Sequence, residues 1–185
     1  KEIEVVMLLA LEVVLKFNTK KETTIDIKHQ SLISKISSLL FNEKRISECL
    51  SFSKHYLEFA GENLLNYLRA LKENKVKSFI TEMSKMFIEY QNISIVDFAM
   101  AQLSESELKD FREQVSKSSK KKNINVNKYF YFLARTGQLD ALMDELSERK
   151  DFRMLMQFDH YLVATHQESL SALYEIMLEE YLNNH

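Results

Sequence analysis

Proline is absent from all 185 residues, and glycine occurs only twice, as Gly61 and Gly137. Average usage would supply about nine prolines and about thirteen glycines in a chain of this length. These are the residues that turn a backbone sharply or end regular structure. Without them, tight hairpins and Gly-rich loops are excluded over most of the chain, and an all-α fold is what remains. The same scarcity removes whole reaction classes. Two isolated glycines cannot build a phosphate-cradling loop, and no Gly-x-Ser-x-Gly elbow exists to present a serine. Cysteine occurs once, as Cys49, so no internal disulfide can form. A lone thiol suits a reducing, cytoplasmic setting.

Long apolar runs are missing too. The longest, Val5 to Leu11, falls far short of the roughly 20 residues needed to span a bilayer, so no membrane partner is expected. Glu2 and Glu4 stand where a signal peptide would carry basic residues. Charge of one sign is not in excess: the formal net charge is −2, which gives no global attraction to nucleic acid or anionic lipid. The chain starts at Lys1 rather than at methionine, and we read it as part of a longer intracellular protein.

What the chain does have is helical period. Val76, Phe79, Ile80, Met83, Phe87 and Tyr90 recur at spacings of three and four, on one face of a helix. Leu170, Leu173, Tyr174, Met177 and Tyr181 repeat the pattern near the end. Ser104-x-x-Glu107 and Thr165-x-x-Glu168 match capping boxes ahead of such runs, and Gly137 is placed to end one helix before another begins. The spacing predicts eleven helices, over 2–17, 27–41, 43–60, 62–72, 75–90, 94–102, 105–118, 125–135, 138–149, 151–164 and 167–183. Connections this short make sequential helices antiparallel neighbours. The expected architecture is one helical-repeat domain over 1–185, with antiparallel pairs stacked as a right-handed α-solenoid similar to tetratricopeptide (TPR) repeats. The polar, basic stretch 117–123 marks a sub-boundary.

Few constellations carry chemistry. Asp26-x-x-His29 and His55-x-x-Glu58 each place two metal-capable side chains on one helical face, and Asp159, His160 and His166 are close in sequence. No Glu-x-x-His or His-Glu-x-x-His accompanies them, so neither a metal nor any other cofactor is expected. Cys49, among Ile46, Leu50 and Ser53, reads as a small core residue. Lys120, Lys121 and Lys122 lie near aromatic residues in the manner of a single-strand nucleic-acid contact. A solvated loop is the plainer reading of a basic run in a slightly acidic chain, so nucleic acid is not the expected partner. Tyr129, Phe130, Tyr131 and Phe132 are the most telling run. Four consecutive side chains point about 100° apart and surround their helix. Such a helix is buried on every side or turns rings toward a groove, and Tyr129 or Tyr131 is the ring expected on a concave, peptide-binding face.

The stretch Tyr129 to Leu142, followed by Asp151-Phe152 through Tyr161-Leu162 and by Leu173-Tyr174 through Leu182, resembles the C-terminal helical region of bacterial proteins that carry a SWIM zinc finger. The resemblance covers the last third of the chain and implies a TPR-like scaffold. The finger itself needs three cysteines and a histidine, and with only Cys49 it is absent here. The function expected is therefore a non-catalytic protein-interaction or scaffold region with a protein or peptide partner. The rival is an accessory helical domain of a nucleic-acid-acting enzyme whose catalytic part lies outside this chain.

Overall fold

The computed structural model describes residues 27–57, 61–119 and 124–183. Over these residues the chain forms ten helices and no strand, against the eleven helices expected. They are α1 (Ile27–Asn42), α2 (Ile46–His55), α3 (Glu62–Glu73), α4 (Phe79–Tyr90), α5 (Ile93–Gln102), α6 (Glu105–Ser119), α7 (Val126–Arg135), α8 (Leu139–Arg149), α9 (Phe152–Leu162) and α10 (Gln167–Asn183). The helix expected over 2–17 lies outside the described residues, as do the run Val5–Leu11 and residues 120–123 of the sub-boundary. Two compact units divide within α4, the first running to Met83 and the second starting at Ser84.

In the first unit, α1, α2 and α3 each pack against the other two. Their periodic faces supply one core: Ile33, Ile36 and Leu40 from α1, Cys49 and Phe52 from α2, and Ala70 from α3. Polar groups cross this core, and their donors are matched, while the buried Asn63 Oδ1 has no partner among the described residues. The Asn66 amide donates to Ser37 Oγ at 3.0 Å and to Ser38 Oγ at 2.9 Å, tying α3 to α1. Its oxygen accepts from Arg69 at 2.7 Å. Asn63 is fully buried and donates to the carbonyls of Tyr56 (2.9 Å) and Ser53 (3.3 Å), closing the open end of α2.

A chain with two glycines must end its helices by other means, and it uses lysine. Left-handed backbone (φ between 48° and 60°) occurs at Lys44, Lys75, Gln91 and Lys150. After α3, Lys75 N–H donates to the Lys72 carbonyl and Val76 N–H to the Leu71 carbonyl, the paired bonds of a Schellman ending. This ending is why α4 begins at Phe79 and not at the expected 75. A left-handed conformation costs a non-glycine residue about 1–2 kcal/mol. Lys44 offsets the strain with an ion pair to Glu73 and a position over the Phe41 ring, and Lys150 with an ion pair to Glu180. Lys75 has neither kind of contact among the described residues. Lys75→Gly is therefore expected to stabilise the protein by about 1 kcal/mol and raise its melting temperature by about 2–4 °C. Urea unfolding checks this, and an unchanged or lower midpoint would show that φ at Lys75 carries no strain.

In the second unit, α5 packs on α7, α7 on both α8 and α9, α8 on α9, and α9 on α10. Short polar caps start several of these helices. Asn92 accepts from the Ser94 N–H, Asn125 from Lys128, and Asp151 from Arg153 and Met154. The Ser104–Glu107 box forms as the spacing suggests: Glu107 Oε2 accepts from the Ser104 N–H at 2.8 Å. The Thr165 box does not form. Thr165 Oγ1 lies 2.8 Å from the His166 ring, and the His166 carbonyl opens α10 by accepting from Leu170.

Candidate functional site

Helix α7 carries the aromatic run, and its surroundings explain that composition. Its start is fixed by the Asn125 cap, whose own N–H donates to Gln91 Oε1 at 2.9 Å. Its end is fixed by Gly137 at φ +73°, where the Gly137 N–H donates to the Ala134 carbonyl and the Gln138 N–H to that of Leu133. Thr136, fully buried, donates to the Phe132 carbonyl at 2.7 Å and accepts from Gln138 at 2.9 Å. Between these stops the helix has aromatic neighbours in several directions. Phe132 meets Phe87 of α4 at 5.4 Å and Phe111 of α6 at 5.8 Å. Phe130 meets Phe158 of α9 edge-on at 5.5 Å, and the Arg149 guanidinium lies 5.8 Å from its ring centre.

The two phenylalanines are fully buried, whereas Tyr129 and Tyr131 are each half-buried. Tyr131 packs edge-on to Phe158 at 4.9 Å, and its hydroxyl accepts from Gln157 Nε2 at 3.0 Å. Tyr129 stacks on Phe132 at 6.0 Å with the rings 17° apart. Its hydroxyl has no hydrogen-bond partner among the described residues. One edge of α7 therefore offers a rigidly backed ring with an unused donor and acceptor. That arrangement can accept a peptide group while the stacked face excludes water.

The other sequence candidates are scattered. Asp26 and Glu58, with Lys120, Lys121 and Lys122, lie outside the described residues. Among the described residues no three of His, Cys, Asp and Glu converge as a metal would require. His55 contacts the carbonyl of Ser51 at 2.9 Å, Asp159 accepts from Tyr174, and His160 rests on the Tyr161 ring. His166 Nε2 lies 2.8 Å from Asp140 Oδ1 while Nδ1 faces Thr165, which places a hydroxyl, an imidazole and a carboxylate in line. The Asp140 side chain is 99% exposed. A carboxylate so fully hydrated polarises an imidazole weakly, and the chain of contacts serves to hold the start of α10 against α8. Cys49 is fully buried, with its Sγ 3.6 Å from the Ser37 carbonyl, and burial pushes its thiol up, away from the reactive thiolate.

Tyr174 is the most perturbed of the described groups. Burial, and the Asp159 carboxylate 2.8 Å away that accepts its hydroxyl proton, push the phenol up to about 12. Between the ordinary tyrosine value near 10 and 12, the unfolded chain has released this proton and the folded chain retains it. Stability from this group is thus complete below about pH 10 and is lost as pH rises toward 12. Wild type should lose more urea stability than Tyr174→Phe between pH 9 and pH 11.5. Parallel losses in the two proteins would show that the phenol is not held protonated.

Sequence reasoning missed a groove of about 480 Å³ between the start of α9 and the end of α10, walled by Lys150, Phe152, Arg153, Met177, Leu178 and Glu180. The available signal was Phe152 and Leu178, which stand off the periodic buried stripes of their helices. Compared with protein-family models, curated proteins and solved structures, the chain matches none. No helix among the described residues is long and apolar enough to cross a membrane.

Proposed function

We propose that this chain is a non-catalytic protein-interaction or scaffold region of a larger cytoplasmic protein, built from TPR-like helix pairs. The contact order of the second unit supports the repeat reading. Helix α7 packs on its successor α8 and on α9 beyond it, and α8 packs on α9, as stacked pairs do. The resemblance of residues 129–142 to the helical region of SWIM zinc-finger proteins points the same way. The observation that carries the binding role is Tyr129: half-buried, backed by Phe132, with a hydroxyl that has no partner among the described residues. Tyr131, two residues on, points to the opposite side of the helix and packs on Phe158. Tyrosine is enriched where proteins grip peptides because one residue supplies apolar area and a polar tip.

Peptide display against the purified chain tests this. The expected result is an enriched motif whose affinity falls by about 1 kcal/mol or more in Tyr129→Ala, with the urea midpoint close to wild type. Tyr131→Phe, which keeps the ring on Phe158 and lies on the opposite side of the helix, should leave the same peptides bound as in wild type. If no motif is enriched, or if the peptides bind Tyr129→Ala as well as wild type, the tyrosine edge is not a binding surface.

A further inference from the structure

Seven large apolar side chains stand exposed among the described residues, and five of them sit on α9 and α10: Phe152, Met156, Ile176, Leu178 and Leu182. Most of these five form one face. Phe152 and Met156 are one turn apart on α9, while Tyr174, Leu178 and Leu182 follow at i, i+4 and i+8 on α10. The Phe152 ring meets Tyr174 edge-on at 5.7 Å, which joins the two rows into one apolar surface above the groove. Leu178 is 55% exposed and Leu182 65%. So much apolar area in one place is uncommon on a free monomer.

The rim is asymmetric in charge. Arg153 lies exposed along the α9 edge, and Glu175 and Glu179 lie exposed along the α10 edge. None of the three has an ion pair among the described residues, whereas Lys150 is paired with Glu180. A face with an apolar centre, an unpaired cation on one edge and unpaired anions on the other complements itself. A two-fold rotation along the helices seats α9 of each copy on α10 of the other, and each Arg153 edge then meets an acidic edge.

From this self-complementarity we infer that the α9–α10 face is a homodimer interface, its occupant a second copy of the same chain. Leu178 and Phe152 are its central anchors, and Arg153 with Glu175 and Glu179 sets the orientation. The inference rests on α9 and α10 and is independent of the tyrosine edge on α7.

Sedimentation velocity on the full chain, from low micromolar to near-millimolar concentration, tests it. The expected result is a concentration-dependent monomer–dimer equilibrium that weakens as salt is raised. Leu178→Gln should weaken dimerisation by about tenfold or more with an unchanged melting temperature in the monomer range. Ile176→Gln, exposed on the opposite flank of α10, should leave it intact. Arg153→Glu should weaken it and flatten the salt dependence. A chain that stays monomeric at every concentration overturns the inference and leaves the face to a different partner. So does a dimer indifferent to Leu178→Gln, or one broken equally by Ile176→Gln.

Discussion

Asn63→Asp is expected to destabilise the first unit by about 3–5 kcal/mol, although it changes one NH2 group to an oxygen. Asn63 is fully buried, and its amide nitrogen holds the carbonyls of Tyr56 and Ser53. An ionised carboxylate has no hydrogen to give. It would set negative oxygen against two carbonyl oxygens, remove the donor that Asn63 gives to each, leaving the Ser53 carbonyl with only the Tyr56 N–H of these two donors, and place a charge inside the core. Arg69 is already committed to Asn66 and Glu62. Against a typical total stability of 5–15 kcal/mol, the variant would stand near the edge of folding. Acid should relieve part of the defect, because a protonated carboxyl regains one donor. Urea titrations at pH 7 and pH 4.5 measure both effects. A loss below about 1 kcal/mol at neutral pH would mean that the end of α2 does not depend on this amide.

Phe132→Ala should have an effect of similar size in the second unit, about 3–5 kcal/mol, with the melting temperature falling on the order of 10 °C. The ring is fully buried and touches Phe87, Phe111 and Tyr129, so its removal leaves a cavity bordered by three other rings. Rigid aromatic neighbours on α4, α6 and α7 itself cannot easily close together into that space. Differential scanning calorimetry with near-ultraviolet circular dichroism follows the result, since the packed rings should lose their fixed environment. Tyr129→Phe on the same helix retains its ring and should shift the melting temperature by no more than a degree or two. Equal losses in the two variants would show that Phe132 has no central place in the packing.

Some of this was legible in the residues. The near absence of proline and glycine, with apolar side chains at spacings of three and four, implied helix after helix, and ten helices occupy the described residues. The Ser104 box and the Gly137 ending were readable because each is made by residues within one or two turns of one another. Helix ends at Lys44, Lys75 and Lys150 were not readable. Nothing in a lysine announces a left-handed backbone, and the conformation holds because the surrounding packing requires the chain to turn there. The Thr165 box failed for a related reason: its hydroxyl found the His166 ring, which is itself held by Asp140 twenty-six positions away.

The aromatic run shows where the division falls. Residues 129–132 by themselves determined that α7 would have rings in all directions, because the helical period rotates each by about 100°. Which rings became core was decided by the tertiary structure: Phe87 and Phe111 close over Phe132, and Phe158 over Phe130, while the two tyrosines remain half-buried. The same holds for the apolar face on α9 and α10, whose rows belong to different helices and are joined where Phe152 meets Tyr174. Local spacing therefore determined where most of the helices lie, since hydrogen bonds and caps act over a few residues. Only the packed structure decided which faces are buried, because burial depends on side chains brought together from distant parts of the chain.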